Sequence, residues 1–115
     1  MNNLVTVSIL SVLLASCAPA APSATVTIDM FATDPGFAPD PVTVSKGQQV
    51  CWKNSDEEAR WPASNIHPTH EIFPDFDPKQ PVRSGETWCF TFNKPGIWKY
   101  HDHLYPEFVG TVNVD

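Results

Sequence analysis

From residue 25 onward, apolar and polar side chains alternate with the period of two that makes one face of a β-strand dry and the other wet. Thr25-Val26-Thr27-Ile28-Asp29-Met30 is the first such run. Pro41-Val42-Thr43-Val44-Ser45 is the second, closed by a Lys46-Gly47 turn, and Gln48 to Asn54 is the third. Ser84-Gly85 opens a fourth, Thr87 to Phe92, in which Trp88, Phe90 and Phe92 share a face. After the turn Asn93-Lys94-Pro95-Gly96, Ile97 to His101 and Gly110 to Val114 read as the last two. No segment shows a convincing amphipathic helical period. Short strands separated by turn signals predict an all-β sandwich.

Residues 55–81 interrupt this pattern. They are charged and broken by Pro62, Pro68, Pro74, Pro78 and Pro81. A loop of that length in a compact domain is usually functional or disordered. Trp61, Ile66, Ile72, Phe73 and Phe76 give it apolar mass, so it is expected to pack over one end of the sandwich.

The start of the chain has another character. Leu4 to Leu14 is apolar, interrupted only by Thr6, Ser8 and Ser11, and too short to span a bilayer. With Leu14-Ala15-Ser16-Cys17 after it, the segment reads as a signal peptide over residues 1–16. Its end resembles a bacterial lipobox, which implies that Cys17 is the lipidated first residue of the mature protein. Residues 17–24 then form a Pro/Ala tether, and residues 25–115 the single folded domain. Export makes disulfides available to that domain. The net charge of −6 disfavours nucleic acid and anionic membrane surfaces as partners. It is compatible with cationic metal ions.

All four histidines fall in two short motifs, His67-Pro68-Thr69-His70 and His101-Asp102-His103. Two imidazole pairs from distant parts of a small β-rich chain are the raw material of a metal site, and imidazole suits copper, zinc, iron and nickel. On a strand, residues two apart project together, so His101 and His103 share a face and Asp102 points the other way, inward. Pro68 restricts the backbone between the other two. The candidate ligands are therefore His67, His70, His101 and His103. Glu71, Asp75, Asp77 and Glu107 read as solvated loop charges. Asp102 is the candidate supporting residue, placed to accept a hydrogen bond from the ring N–H of a ligand histidine.

Beyond Cys17 there are two cysteines, Cys51 and Cys89. Val50-Cys51-Trp52 and Trp88-Cys89-Phe90 place both opposite the large apolar side chains. A cross-strand disulfide is feasible if the two strands are neighbours; a thiolate metal pair is the alternative.

Taken in order, several pieces resemble a cupredoxin. They are Phe37-Ala38-Pro39, Pro41-Val42-Thr43-Val44, Lys46-Gly47, Val50-Cys51-Trp52-Lys53-Asn54, Gly85-Glu86-Thr87, Phe90-Thr91-Phe92, Pro95-Gly96 and Gly110-Thr111-Val112-Asn113-Val114. The resemblance spans the whole mature domain. It implies a Greek-key β-sandwich with copper at one end, and makes the strands of Cys51 and Cys89 neighbours, hence a Cys51–Cys89 disulfide. Gly96 to Gly110 matches the amicyanin-type ligand loop in length, with Asp102, Tyr105 and Phe108 at the cysteine, histidine and methionine positions. Those side chains cannot make a blue-copper centre, which needs two histidines and a cysteine thiolate. Trp98-Lys99-Tyr100-His101-Asp102-His103 instead resembles the Tyr-His-x-His segment of multicopper oxidases, and His67-Pro68-Thr69-His70 loosely resembles their His-Pro-x-His elements.

Four neutral imidazoles suit both tetragonal Cu(II) and tetrahedral zinc, and the resemblance favours copper. The expected protein is an exported, membrane-anchored copper-binding lipoprotein of the cell envelope. It would serve copper sequestration, delivery or resistance, with a copper donor or acceptor protein as partner. The alternatives are an electron-transfer cupredoxin, against which the missing cysteine counts, and a type 2-like copper oxidase module. The last would be an enzyme, a role disfavoured because multicopper oxidases build their cluster between domains and this chain has one.

Overall fold

The strands run in the order β1 (Val26–Met30), β2 (Phe37–Ala38), β3 (Val42–Val44), β4 (Gln48–Asn54), β5 (Pro62–Ser64), β6 (Thr87–Phe92), β7 (Gly96–Asp102) and β8 (Val109–Val114). The computed structural model describes residues 24–115 together with Ile9, Ser11 and Val12. The expected signal peptide, the Cys17 anchor and residues 18–23 of the tether lie outside the described residues, those three positions apart. Two sheets form, β2-β1-β4-β6 and β3-β8-β7-β5. The β1–β4 and β3–β8 pairs are parallel and the others antiparallel.

The alternation read from the sequence sets the core. Ile28, Met30, Val50, Trp52, Phe92, Tyr100, Val112 and Val114 project between the sheets and are buried. Each such side chain contributes about 1.5–3 kcal/mol by leaving water. Trp52 is the hub: its ring lies 5.2 Å from Phe76, 5.3 Å from Trp88 and 5.5 Å from Tyr100, centroid to centroid. Cys51 sits directly opposite Cys89 in the β4–β6 register, and the two form a disulfide.

Two strands have no counterpart in the sequence pattern. β2 is two residues long, too short to show a period. β5 is hidden among prolines, but it is an edge strand that starts at Pro62, where a missing N–H costs no ladder bond. The segment 55–81 does pack onto the sandwich: Phe76 is fully buried and Phe73 partly so, its ring 4.6 Å from that of Trp98. Ile66 and Ile72, expected to help, remain more than half exposed at 55% and 52%.

Candidate metal centre

Pairing of β5 with β7 brings the two histidine motifs together. Ala63 lies opposite His101, and Ser64 opposite Tyr100. β7 ends at Asp102, and the His103 N–H then donates to the Trp61 carbonyl at 2.7 Å. The chain leaving β5 closes on itself: His70 N–H donates to Ile66 O at 2.7 Å and Ile72 N–H to Asn65 O at 3.0 Å. The Ser64 hydroxyl accepts from Phe73 N–H at 3.0 Å. Within this loop His70 has φ 56, the left-handed region that a residue with a side chain seldom occupies. Such strain persists only where surrounding bonds enforce it, and it gathers at functional sites.

One ring nitrogen from each of His67, His70, His101 and His103 lies within 4.8 Å of the others. His67 Nδ1 is 3.2 Å from His101 Nε2, and His103 Nδ1 is 3.1 Å from His70 Nε2. His70 and His101 are buried, His103 is half-buried and His67 exposed. Behind the cluster, His70 Nδ1 is 2.7 Å from Asp77 Oδ2, and His101 Nδ1 is 3.0 Å from Asn65 Oδ1. The Trp61 ring lies 4.7 Å from that of His103.

The surroundings of His101 and His103 disfavour their protonated forms. Burial, then the neighbouring His70, His67 and His103, push the His101 pKa down to about 4, against the weaker pull of Asp102. Burial and the same crowding also lower that of His103. For Asp77 burial works to raise the pKa, but hydrogen bonds from His70, the Lys79 N–H and Trp61 outweigh it, and the net shift is downward. A carboxylate thus stands behind His70 and an amide oxygen behind His101, each on the side of the ring away from the cluster.

Asp102 does not play the part expected of it. Its side chain is fully buried, as strand parity required, but its oxygens turn away from the histidine rings. They accept from Arg60 Nε at 2.5 Å, Trp61 N–H at 3.2 Å, Leu104 N–H at 2.9 Å and Tyr105 N–H at 3.1 Å. The Arg60 guanidinium lies over the Phe108 ring at 4.6 Å, the Phe37 ring at 5.3 Å and the Tyr105 ring at 5.8 Å. Asp102, Tyr105 and Phe108, which the resemblance placed at blue-copper ligand positions, therefore converge on an arginine. The cation among them is a guanidinium. Gly36, at φ +80, permits this packing, because a Cβ there would meet Phe108 at 2.4 Å.

Asp77, Asn65 and Arg60 were not singled out by the sequence. Asp77 was counted among solvated loop charges, yet its side chain is only 8% exposed. No periodicity relates it to His70, seven residues away in an irregular loop. Arg60 gave no signal beyond a lone charge near Trp61.

No family model and no curated protein matches the chain. Solved structures do. A purple cupredoxin from Nitrosopumilus maritimus superposes with TM-score 0.66 at 22% identity, covering 78% of this chain and 99% of that one. Amicyanin from Paracoccus versutus gives 0.63 at 19%, covering 84% and 86%. A Cu-containing nitrite reductase from Thermus scotoductus SA-01 gives 0.62 at 22%, covering 89% of this chain but 25% of the enzyme. The chain thus has the cupredoxin fold. At these identities the likeness concerns the fold, and the chemistry rests on the residues described above.

Proposed function

We propose that this protein is a copper-binding, cupredoxin-like lipoprotein of the cell envelope that sequesters or delivers copper through a histidine-rich, non-blue site. The observation that carries the reading is the convergence of His67, His70, His101 and His103, every histidine in the chain, at one place. Nitrogens bound at about 2.0–2.1 Å to one metal lie about 2.8–3.4 Å apart along an edge, in planar or tetrahedral geometry alike. The contacts of 3.1 and 3.2 Å fall inside that window. Neutral imidazoles with an acceptor behind two of them are the donor set that copper or zinc takes. The cupredoxin fold favours copper. The absence of a thiolate from the set, both domain cysteines being joined in the disulfide, favours a pale Cu(II) site over a blue one.

Equilibrium dialysis against Cu(II) and Zn(II) tests the reading. One copper per chain is expected, held more tightly than zinc, with a large loss in the double variant His101→Ala, His103→Ala. Unchanged binding in that variant would overturn the assignment. The anchor is tested separately: incorporation of labelled fatty acid is expected in the wild type and not in Cys17→Ser.

A further inference from the structure

We propose that the four histidines form two unlike halves, a fixed pair, His70 and His101, and an exchangeable pair, His67 and His103, through which the copper ion enters and leaves. The inference rests on the copper reading above and concerns how that site is loaded and emptied.

The fixed pair is held from behind. His70 Nδ1–H donates to Asp77 Oδ2 at 2.7 Å, and that carboxylate is itself oriented by Trp61 Nε1–H and Lys79 N–H, each at 2.8 Å. His101 Nδ1–H donates to Asn65 Oδ1 at 3.0 Å from a ring on β7. With the proton committed to Nδ1, a neutral imidazole presents the Nε2 lone pair to the cluster. Both rings are buried, at 5% and 3% exposure, so neither can swing out without breaking these bonds.

The other pair has no hydrogen bond behind its rings among the described residues, although the His103 ring packs against Trp61. Each of these rings turns Nδ1 inward, His67 to His101 Nε2 at 3.2 Å and His103 to His70 Nε2 at 3.1 Å. A neutral ring that turns Nδ1 toward a metal carries its proton on the outward Nε2, and among the described residues no side chain or backbone group hydrogen-bonds the Nε2 of His67 or His103. An incoming nitrogen donor, such as an imidazole on a partner protein, would displace His67 or His103 first, because these are the rings that solvent reaches.

Two measurements test this. Long-range ¹H–¹⁵N spectra of the metal-free protein should show Nδ1–H tautomers at His70 and His101, and Asp77→Asn should convert His70 toward Nε2–H. An Nε2–H tautomer at His70 or His101 in the wild type would overturn the proposal, whether or not copper binds. In chelator competition, His67→Ala or His103→Ala should keep copper within about tenfold of wild-type affinity, release it faster and admit free imidazole as a replacement ligand. His70→Ala, His101→Ala or, where these fail to fold, Asp77→Asn should lower affinity about 10–100-fold. Equal losses in both halves would contradict the division. A wild-type protein that binds no copper would sink the functional reading itself, while the tautomer pattern would still decide the arrangement.

Discussion

Asp77 joins three parts of the site through one carboxylate. It accepts from His70, from the Trp61 indole and from the Lys79 backbone, and Trp61 in turn packs on His103. Asp77→Ala removes the acceptor behind His70 and should weaken copper binding about 10–100-fold, as read by chelator competition; full affinity would contradict that role. The sign of the pH dependence follows from the shifts. His101 titrates near 4 in the folded protein, against an ordinary value of 6.5. Between those values the unfolded chain binds a proton that the folded one does not, so stability rises with pH across that window and is lost as pH falls through it. The effect is absent above about pH 6.5, and the loss from this residue is complete once pH passes below its folded pKa. The depressed Asp77 carboxyl acts in the same direction at lower pH: its contribution is full above the ordinary carboxylate pKa and is lost through its folded value. Urea midpoints of the metal-free protein at stepped pH check this; a midpoint flat from pH 7 to 4 would refute it. Of the candidate cluster, the pairing of His101 with His103 was legible from strand parity, whereas the approach of His67 and His70, three apart in a loop, had no period to show it. Asp77 and Asn65 were not legible, because their contacts depend on how an irregular loop closes.

Among the elements, the short edge strand β5 matters most, because its pairing with β7 places one histidine motif beside the other. It could not be read from a period, being three residues long and beginning with proline. The longer strands could, as their alternation shows directly in which residues are buried. The expectation that residues 55–81 pack was right for Phe76 and wrong for Ile66 and Ile72, because a loop has no parity to tell inside from outside. Phe76→Ala should cost about 3–5 kcal/mol and loosen the histidine loop with it. The Arg60–Asp102 pair ties the segment before β5 to the end of β7, with both side chains fully buried. Arg60→Leu leaves a buried carboxylate without its cation and should cost about 3–5 kcal/mol in chemical denaturation; a neutral result would show that the three backbone N–H groups on Asp102 suffice. The disulfide joins β4 to β6 in the other sheet, across a sequence separation of 38. Replacing both cysteines with serine should cost about 4 kcal/mol on the chain-entropy scale and leave copper affinity unchanged.

For the whole molecule, a cupredoxin sandwich carries two distinct places at which β7 ends. On one face, Asp102 meets Arg60, Tyr105 and Phe108; on the other, His101 and His103 meet His67 and His70. The fold resemblance alone would have put a metal in the first place. On the proposed reading the metal binds at the second, where four nitrogens converge without a thiolate among the described residues. An acidic chain of net charge −6 suits the capture of a cation. The most direct test is electron paramagnetic resonance of the protein loaded with one equivalent of Cu(II), read together with its visible spectrum. A pale protein is expected, with a normal Cu(II) signal, nitrogen superhyperfine splitting from imidazoles, and loss of that pattern in His101→Ala, His103→Ala. An intense charge-transfer band of the blue-copper kind, or an unchanged signal in that double variant, would contradict it.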